Sequence, residues 1–189
     1  TSYNNDQVHA VMGQVSQDNG YRRVFLMTPN YQAGRDAMAG FKSKFRGEVV
    51  DEVYVPLTQL DFSAELAKIA AARPDAIFTF MPGGLGVNLV RQYRQAGLAN
   101  IPFLSTFTVD EATLPAQGAA AEGFFSAASW APNMDNAQNQ RFVRDFEAQN
   151  PDIRIKRNNV GQAAIVNTKL QTSFAAGDPH QAARQFRNA

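Results

Sequence analysis

Two kinds of segment alternate along the first 128 residues. One is a short apolar run, as in Val24-Phe25-Leu26-Met27 and Ala76-Ile77-Phe78-Thr79-Phe80. Runs of this length with little polar interruption suit strands covered on both faces. The other kind spaces its apolar residues three and four apart, as in Ala37, Met38, Phe41 and Phe45, or Leu85, Leu89, Val90 and Tyr93, which is helical spacing. The pattern predicts a helix over 7–19, opened by Asp6, striped by Val8, Val11, Met12 and Val15 and stopped by Asn19-Gly20. A strand over 23–27 and a helix over 33–45 follow. Glu48 to Val55 reads as a strand ended by Pro56. Asp61 caps the next helix, with Leu66, Ile69 and Ala70 inward, and Arg73-Pro74 stops it. Then come a strand over 75–80, a helix over 85–96 closed by Gly97, and a strand over 102–107. A polar, Gly/Ala-rich stretch over 110–122 leads to a fifth strand over 123–128. Strand, loop and helix repeated in this way predict an α/β fold with a parallel sheet flanked by helices.

The pattern changes after Trp130-Ala131-Pro132. Asp135 opens a helix to about Gln149, with Phe142, Val143 and Phe146 on its apolar face, and Asn150-Pro151 breaks it. Residues 159–175 and 179–188 are helical in pattern, and no further strand is evident. The chain therefore divides into a sheet-bearing lobe, 1–128, and a crossing segment with helices, 129–189. Those helices have apolar faces and no sheet of their own to cover. The expectation is that a further segment or a second chain completes them. Trp130 stands at the crossing, either packing a hinge or walling a cleft.

In parallel sheets ligands bind beyond the carboxyl ends of the strands, so the loops there are the candidate site. Tyr31, in Thr28-Pro29-Asn30-Tyr31-Gln32-Ala33-Gly34, is either a surface residue or a rigid ring with a polar hydroxyl set against a ligand. Phe107, ending the fourth strand, carries the same two readings. Met81-Pro82-Gly83-Gly84-Leu85-Gly86 follows a strand and opens a helix, but it is neither G-x-G-x-x-G nor a P-loop. Its glycines either permit a turn with positive φ or bring backbone N–H groups close to a ligand such as a carboxylate.

Composition narrows the chemistry. Hydrophobic residues make up 44%, enough for a proper core. A net charge of +1 gives no reason to expect nucleic acid or an anionic membrane as partner. Cysteine is absent, which excludes disulfides, thiolate zinc sites and a cysteine nucleophile. His9, on the polar side of the first stripe, and His180 are the two histidines; they are not paired at helical spacing, and there is no G-x-S-x-G elbow. Asp110/Glu111 and Asp61/Glu65 read as surface or capping acids. No metal or cofactor is expected. Thr1 to Asp6 is polar and lacks the apolar stretch of a secretory signal, and no run of about 18 apolar residues spans a membrane.

Several stretches carry a resemblance: Asn5-Asp6-Gln7, Gly20-Tyr21-Arg22-Arg23-Val24, Pro29 to Asp36, Leu57 to Leu66, Arg73-Pro74-Asp75-Ala76 and Arg91 to Leu98. Together they resemble the periplasmic solute-binding proteins of branched-chain amino acid-type ABC importers, the type I periplasmic binding fold. The similarity runs from Thr1 to about Gln149 and weakly beyond. The resemblance implies two α/β lobes joined by three crossing strands and closing over a small molecule. It places Thr1–Glu122 as most of the carboxyl-side lobe, the region near Phe124–Trp130 as a return crossing, and 135–175 as helices of the amino-side lobe. The family's opening half, with the Ser/Thr loop that grips a ligand carboxylate, and its final strands have no counterpart here, so the chain is expected to be a fragment. Tyr31 matches the tyrosine of the first ligand-facing loop, Met81, Pro82 and Gly83 the second, and Thr106 and Phe107 the third. Amino-acid binders carry an acid on that third loop for the ligand ammonium; this chain has none, so of the ligands the resemblance implies, a small organic acid or an amino acid, an aromatic or other organic acid is favoured. The resemblance further implies a periplasmic, non-enzymatic protein whose closed form meets a membrane permease. The rivals are a sensor or regulator built on the same lobe, and an enzyme on a flavodoxin-like or Rossmann-like sheet, which needs a nucleotide loop or an acid/base pair that does not stand out here.

Overall fold

The computed structural model describes residues 5–110, 112–128 and 135–152. The chain divides into two compact units, Thr1–Ser129 and Trp130–Ala189. The first unit holds α1 (Asn5–Asp18), β1 (Arg23–Pro29), α2 (Gln32–Lys44), β2 (Glu48–Val55), α3 (Ser63–Ala72), β3 (Ala76–Thr79), α4 (Gly84–Gln95), β4 (Phe103–Thr106), α5 (Leu114–Gln117) and β5 (Phe125–Ala127), with a 3₁₀ turn over Gly118–Ala121. All four strand pairings are parallel, in the order β2-β1-β3-β4-β5. The described part of the second unit contributes α6 (Ala137–Gln149), whose Asn136 side chain accepts the Asn139 N–H at 2.8 Å.

The twofold period of a strand divides the core. Val24, Leu26, Ala76, Phe78 and Leu104 point to one side, where Met12 of α1 and Ala37, Met38 and Phe41 of α2 cover them. Phe25, Met27, Ile77 and Phe103 point to the other side, under Leu66 and Ile69 of α3 and Leu89, Val90 and Tyr93 of α4. Burial on both faces accounts for the continuous apolar runs of β1 and β3, every residue of β3 being buried. Each such Phe, Leu or Ile removed from water contributes ~1.5–3 kcal/mol before entropy is counted.

Several expectations are corrected. Val11 is exposed, because the buried face of α1 runs instead through Val8, His9, Met12, Gly13 and Ser16. Ala70 faces solvent. Asp6 lies inside α1. Asp61 does accept the backbone N–H and hydroxyl of Ser63, at 2.9 and 2.6 Å, but Phe62 occupies the capping position of α3. The polar, Gly/Ala-rich stretch over 110–122, to which the pattern assigns no element, holds α5 and the 3₁₀ turn. Arg91 donates to the Ala116 carbonyl, and Arg94 to those of Ala120 and Glu122, so groups on α4 order it from outside. Phe142 of α6 is exposed, whereas Val143 is buried. Trp130 and the helical patterns over 159–175 and 179–188 lie outside the described residues.

Candidate functional site

The connection from β1 leads to β2 on one side, while β3 lies on the other side of β1. Strand order thus reverses between β1 and β3, and the crevice at their carboxyl ends is where an open α/β sheet accepts a ligand. Tyr31 follows β1 there, in extended backbone at the capping position of α2. Its ring stacks on Phe80, just past β3, with centroids 6.3 Å apart and planes 18° apart. Phe80 in turn meets the edge of Phe107, just past β4, at 6.2 Å and 80°. Three successive strand ends thereby place three rings in a row. Tyr31 and Phe107 are half-buried, and partial burial raises the Tyr31 phenol above its ordinary pKa.

The other candidate residues divide by exposure. Pro82 is half-buried and Gly83 exposed, so both present surface beside the rings. Gly83 opens α4 with φ +64 and ψ −136, and a β-carbon there would meet nothing within 4 Å. The glycine is needed for its backbone rotation, which side-chain-bearing residues rarely adopt. Met81 and Thr106 are fully buried. Met81 packs into the core under α3 and α4, and Thr106 points to a hydrogen-bond partner beneath the site. Among the described residues, neither Tyr31 nor Gly83 caps its helix with a side-chain hydrogen bond, so α2 and α4 bring N–H groups without intrahelical partners and the positive ends of their dipoles to the carboxyl edge of the sheet.

That partner of Thr106 is His9. Its Nδ1 and the Thr106 hydroxyl share a hydrogen bond of 2.6 Å. The imidazole is fully buried, edge-on to Phe80 at 5.0 Å and to Phe107 at 6.3 Å, and its Nε2 has no hydrogen-bond partner among the described residues. The expectation that His9 lies on the polar side of α1 is therefore overturned. The helix can present it inward because α1 and α2 approach closely. A β-carbon on Gly13 would sit 2.1 Å from the Phe41 carbonyl oxygen, and one on Gly40 would sit 2.4 Å from that of Asp6 and 3.0 Å from the β-carbon of His9. Burial pushes the imidazole down to about 4, although the Asp36 and Asp6 carboxylates pull it upward. His9 is thus neutral at physiological pH.

The structure brings Tyr31 and Phe107 together through Phe80, puts Pro82 and Gly83 on the loop that follows Phe80, and buries Met81 and Thr106. Sequence reasoning missed Phe80, counted only as the last residue of a strand, and His9. A signal for His9 existed: Gly13 in mid-helix marks a face in close contact, and His9 lies four residues before it. Among the described residues no group of three or more His, Asp or Glu side chains could hold a metal ion, and no helix is long and apolar enough to cross a membrane.

A sequence model of the periplasmic binding protein family matches residues 1–185. The Leu/Ile/Val-binding protein homolog 6 of Brucella melitensis is 29% identical over 152 residues, covering 77% of this chain and 39% of that protein. Among solved structures, an ABC-transporter solute-binding protein from R. palustris in complex with benzoate is 27% identical, with a TM-score of 0.69, over 100% of this chain and 53% of that one. Another, from Rhodopseudomonas palustris BisB5 in complex with 3,4-dihydroxybenzoic acid, is 28% identical, with a TM-score of 0.67, over 96% and 52% respectively. The chain spans about two fifths of the curated relative and about half of each solved protein.

Proposed function

The chain belongs to the periplasmic binding protein family, and we infer that it is the solute-binding part of an ABC importer for a small aromatic carboxylic acid. The observation that carries this reading is the row of rings, Tyr31, Phe80 and Phe107, at the point where strand order reverses. A flat ring suits stacked and edge-on aromatic walls. The loops bearing the site, 29–31, 80–83 and 106–107, contain no acidic residue. An α-amino acid would bring an ammonium group to them without a counter-charge, whereas an aromatic acid brings none. The uncapped N-termini of α2 and α4 favour a negatively charged group.

On this reading residues 1–128 act as the carboxyl-side lobe, and 129–189 as a crossing with helices of the amino-side lobe. Tyr31, Pro82, Gly83 and Phe107 face the ligand, backed by Met81 and Thr106. Contacts with both lobes favour the closed form by population shift, and a permease in the membrane reads that form from the periplasmic side. Calorimetric titration of the protein with benzoate, 4-hydroxybenzoate and leucine tests the assignment. Binding of the benzoates but not leucine is expected, with roughly tenfold weaker benzoate binding in Tyr31→Ala, a loss of about 1.4 kcal/mol. Leucine binding without benzoate binding would overturn the ligand class.

A further inference from the structure

Phe107 has φ +54, a left-handed rotation that crowds the β-carbon of an L-residue and persists only where its surroundings impose it. The residues on both sides of it are held. Thr106 is hydrogen-bonded to His9. Thr108 is fully buried, and its hydroxyl accepts the Met81 N–H at 2.7 Å while lying 3.3 Å from the Thr106 carbonyl, to which it donates. The Thr108 carbonyl accepts from the Thr113 hydroxyl at 3.0 Å and from Gln117 Nε2 at 2.8 Å. One side chain therefore ties the loop after β3 to the loop after β4, with the strained backbone of Phe107 beside the tie.

We propose that Thr108 is a positioning residue that holds Phe107 in its left-handed rotation and fixes the spacing between the Phe107 ring and the Met81-Pro82-Gly83 loop. The proposal builds on the binding site inferred above and concerns what sets its width. Thr108 itself offers no surface to a ligand. With the hydroxyl gone, the Met81 N–H loses its acceptor and Phe107 is free to relax to negative φ.

Thr108→Val keeps the volume and removes the hydroxyl. Exchange of the Met81 amide with solvent, measured by NMR against the Leu26 amide in central β1, is expected to quicken about tenfold, the equivalent of one ordinary hydrogen bond. The backbone coupling constant of Phe107 is expected to leave its left-handed value. Thr108→Ser, which restores the hydroxyl, is expected to return both to wild type. Unchanged Met81 exchange and unchanged Phe107 coupling in Thr108→Val would overturn the proposal. If Thr108→Val does not fold, Thr108→Val combined with Phe107→Gly, which removes the strain, is expected to recover the fold; failure of the double variant would also overturn it. Both NMR readouts are independent of ligand. Benzoate titration of the same proteins separates the two ideas: a wild type that ignores benzoate removes the ligand assignment and leaves the tie standing, whereas binding that weakens about tenfold in Thr108→Val and recovers in Thr108→Ser supports both.

Discussion

Acidification from pH 7 to pH 5 is expected to weaken the fold through His9. The imidazole titrates near 6.5 when exposed and at about 4 in the folded protein, where burial outweighs the attraction of Asp36 and Asp6. Between those values the unfolded chain binds a proton that the folded chain excludes, so stability rises with pH across this window and His9 contributes no slope above or below it. At about 1.4 kcal/mol per pH unit, the full window is worth about 3 kcal/mol. Taking both titration points, about 2 kcal/mol is already lost at pH 5. With a urea dependence of about 2 kcal/mol per molar, the unfolding midpoint should fall by about 1 M between pH 7 and pH 5. His9→Asn retains a hydrogen-bonding group for Thr106 and does not titrate. It lowers stability at both pH values, but the difference between its two midpoints should nearly vanish. The imidazole resonance of His9 should move only below about pH 5. Equal pH sensitivity in wild type and His9→Asn, or titration of His9 near 6.5, would refute the reasoning.

Gly13→Ala gains ~1 kcal/mol of helix propensity, yet its new carbon would lie 2.1 Å from the Phe41 carbonyl oxygen; a net loss of about 2 kcal/mol is expected in urea unfolding. Tyr93 is fully buried and donates to the Ile101 carbonyl at 3.0 Å. Tyr93→Phe should therefore lose ~1 kcal/mol by the same assay. Burial also raises the Tyr93 phenol, so ultraviolet titration should show it still protonated where exposed tyrosines have ionised. The Asp75 carboxylate accepts the N–H groups of Arg22 and Arg23 at 2.8 and 2.9 Å, which hold its carboxyl below the usual range. Asp75→Ala should speed amide exchange at Arg22 and Arg23. The same loosening should appear in wild type only as pH falls through that lowered value, since a depressed carboxyl stabilises the fold above it.

How legible the molecule was in its sequence depended on whether the cause of each element was local. β2 was read with both ends correct because Gly47 and Pro56 bracket it. The rotation of α1 was misread because hydropathy ranks Val11 above His9, while the deciding fact is the glycine contact with α2. α5 escaped notice because its order comes from Arg91 and Arg94 on α4. The three candidate loops followed from strand ends alone. The left-handed rotation of Phe107 did not, since phenylalanine is a residue that rarely takes it and the constraint comes from Thr108, Thr113 and Gln117 acting together.

The hydrogen bond between His9 and Thr106 joins residues 97 positions apart. During synthesis at ~5–20 residues per second, α1 leaves the ribosome ~5–20 s before β4 exists to meet it. Over that interval the imidazole lacks its Thr106 partner, and the platform beneath Phe80 and Phe107 is unbuilt. The surface formed by Tyr31, Phe80 and Phe107 is therefore among the last parts of residues 5–128 to be completed, and anything that holds α1 away from the sheet delays it while leaving β1 and β2 free to pair.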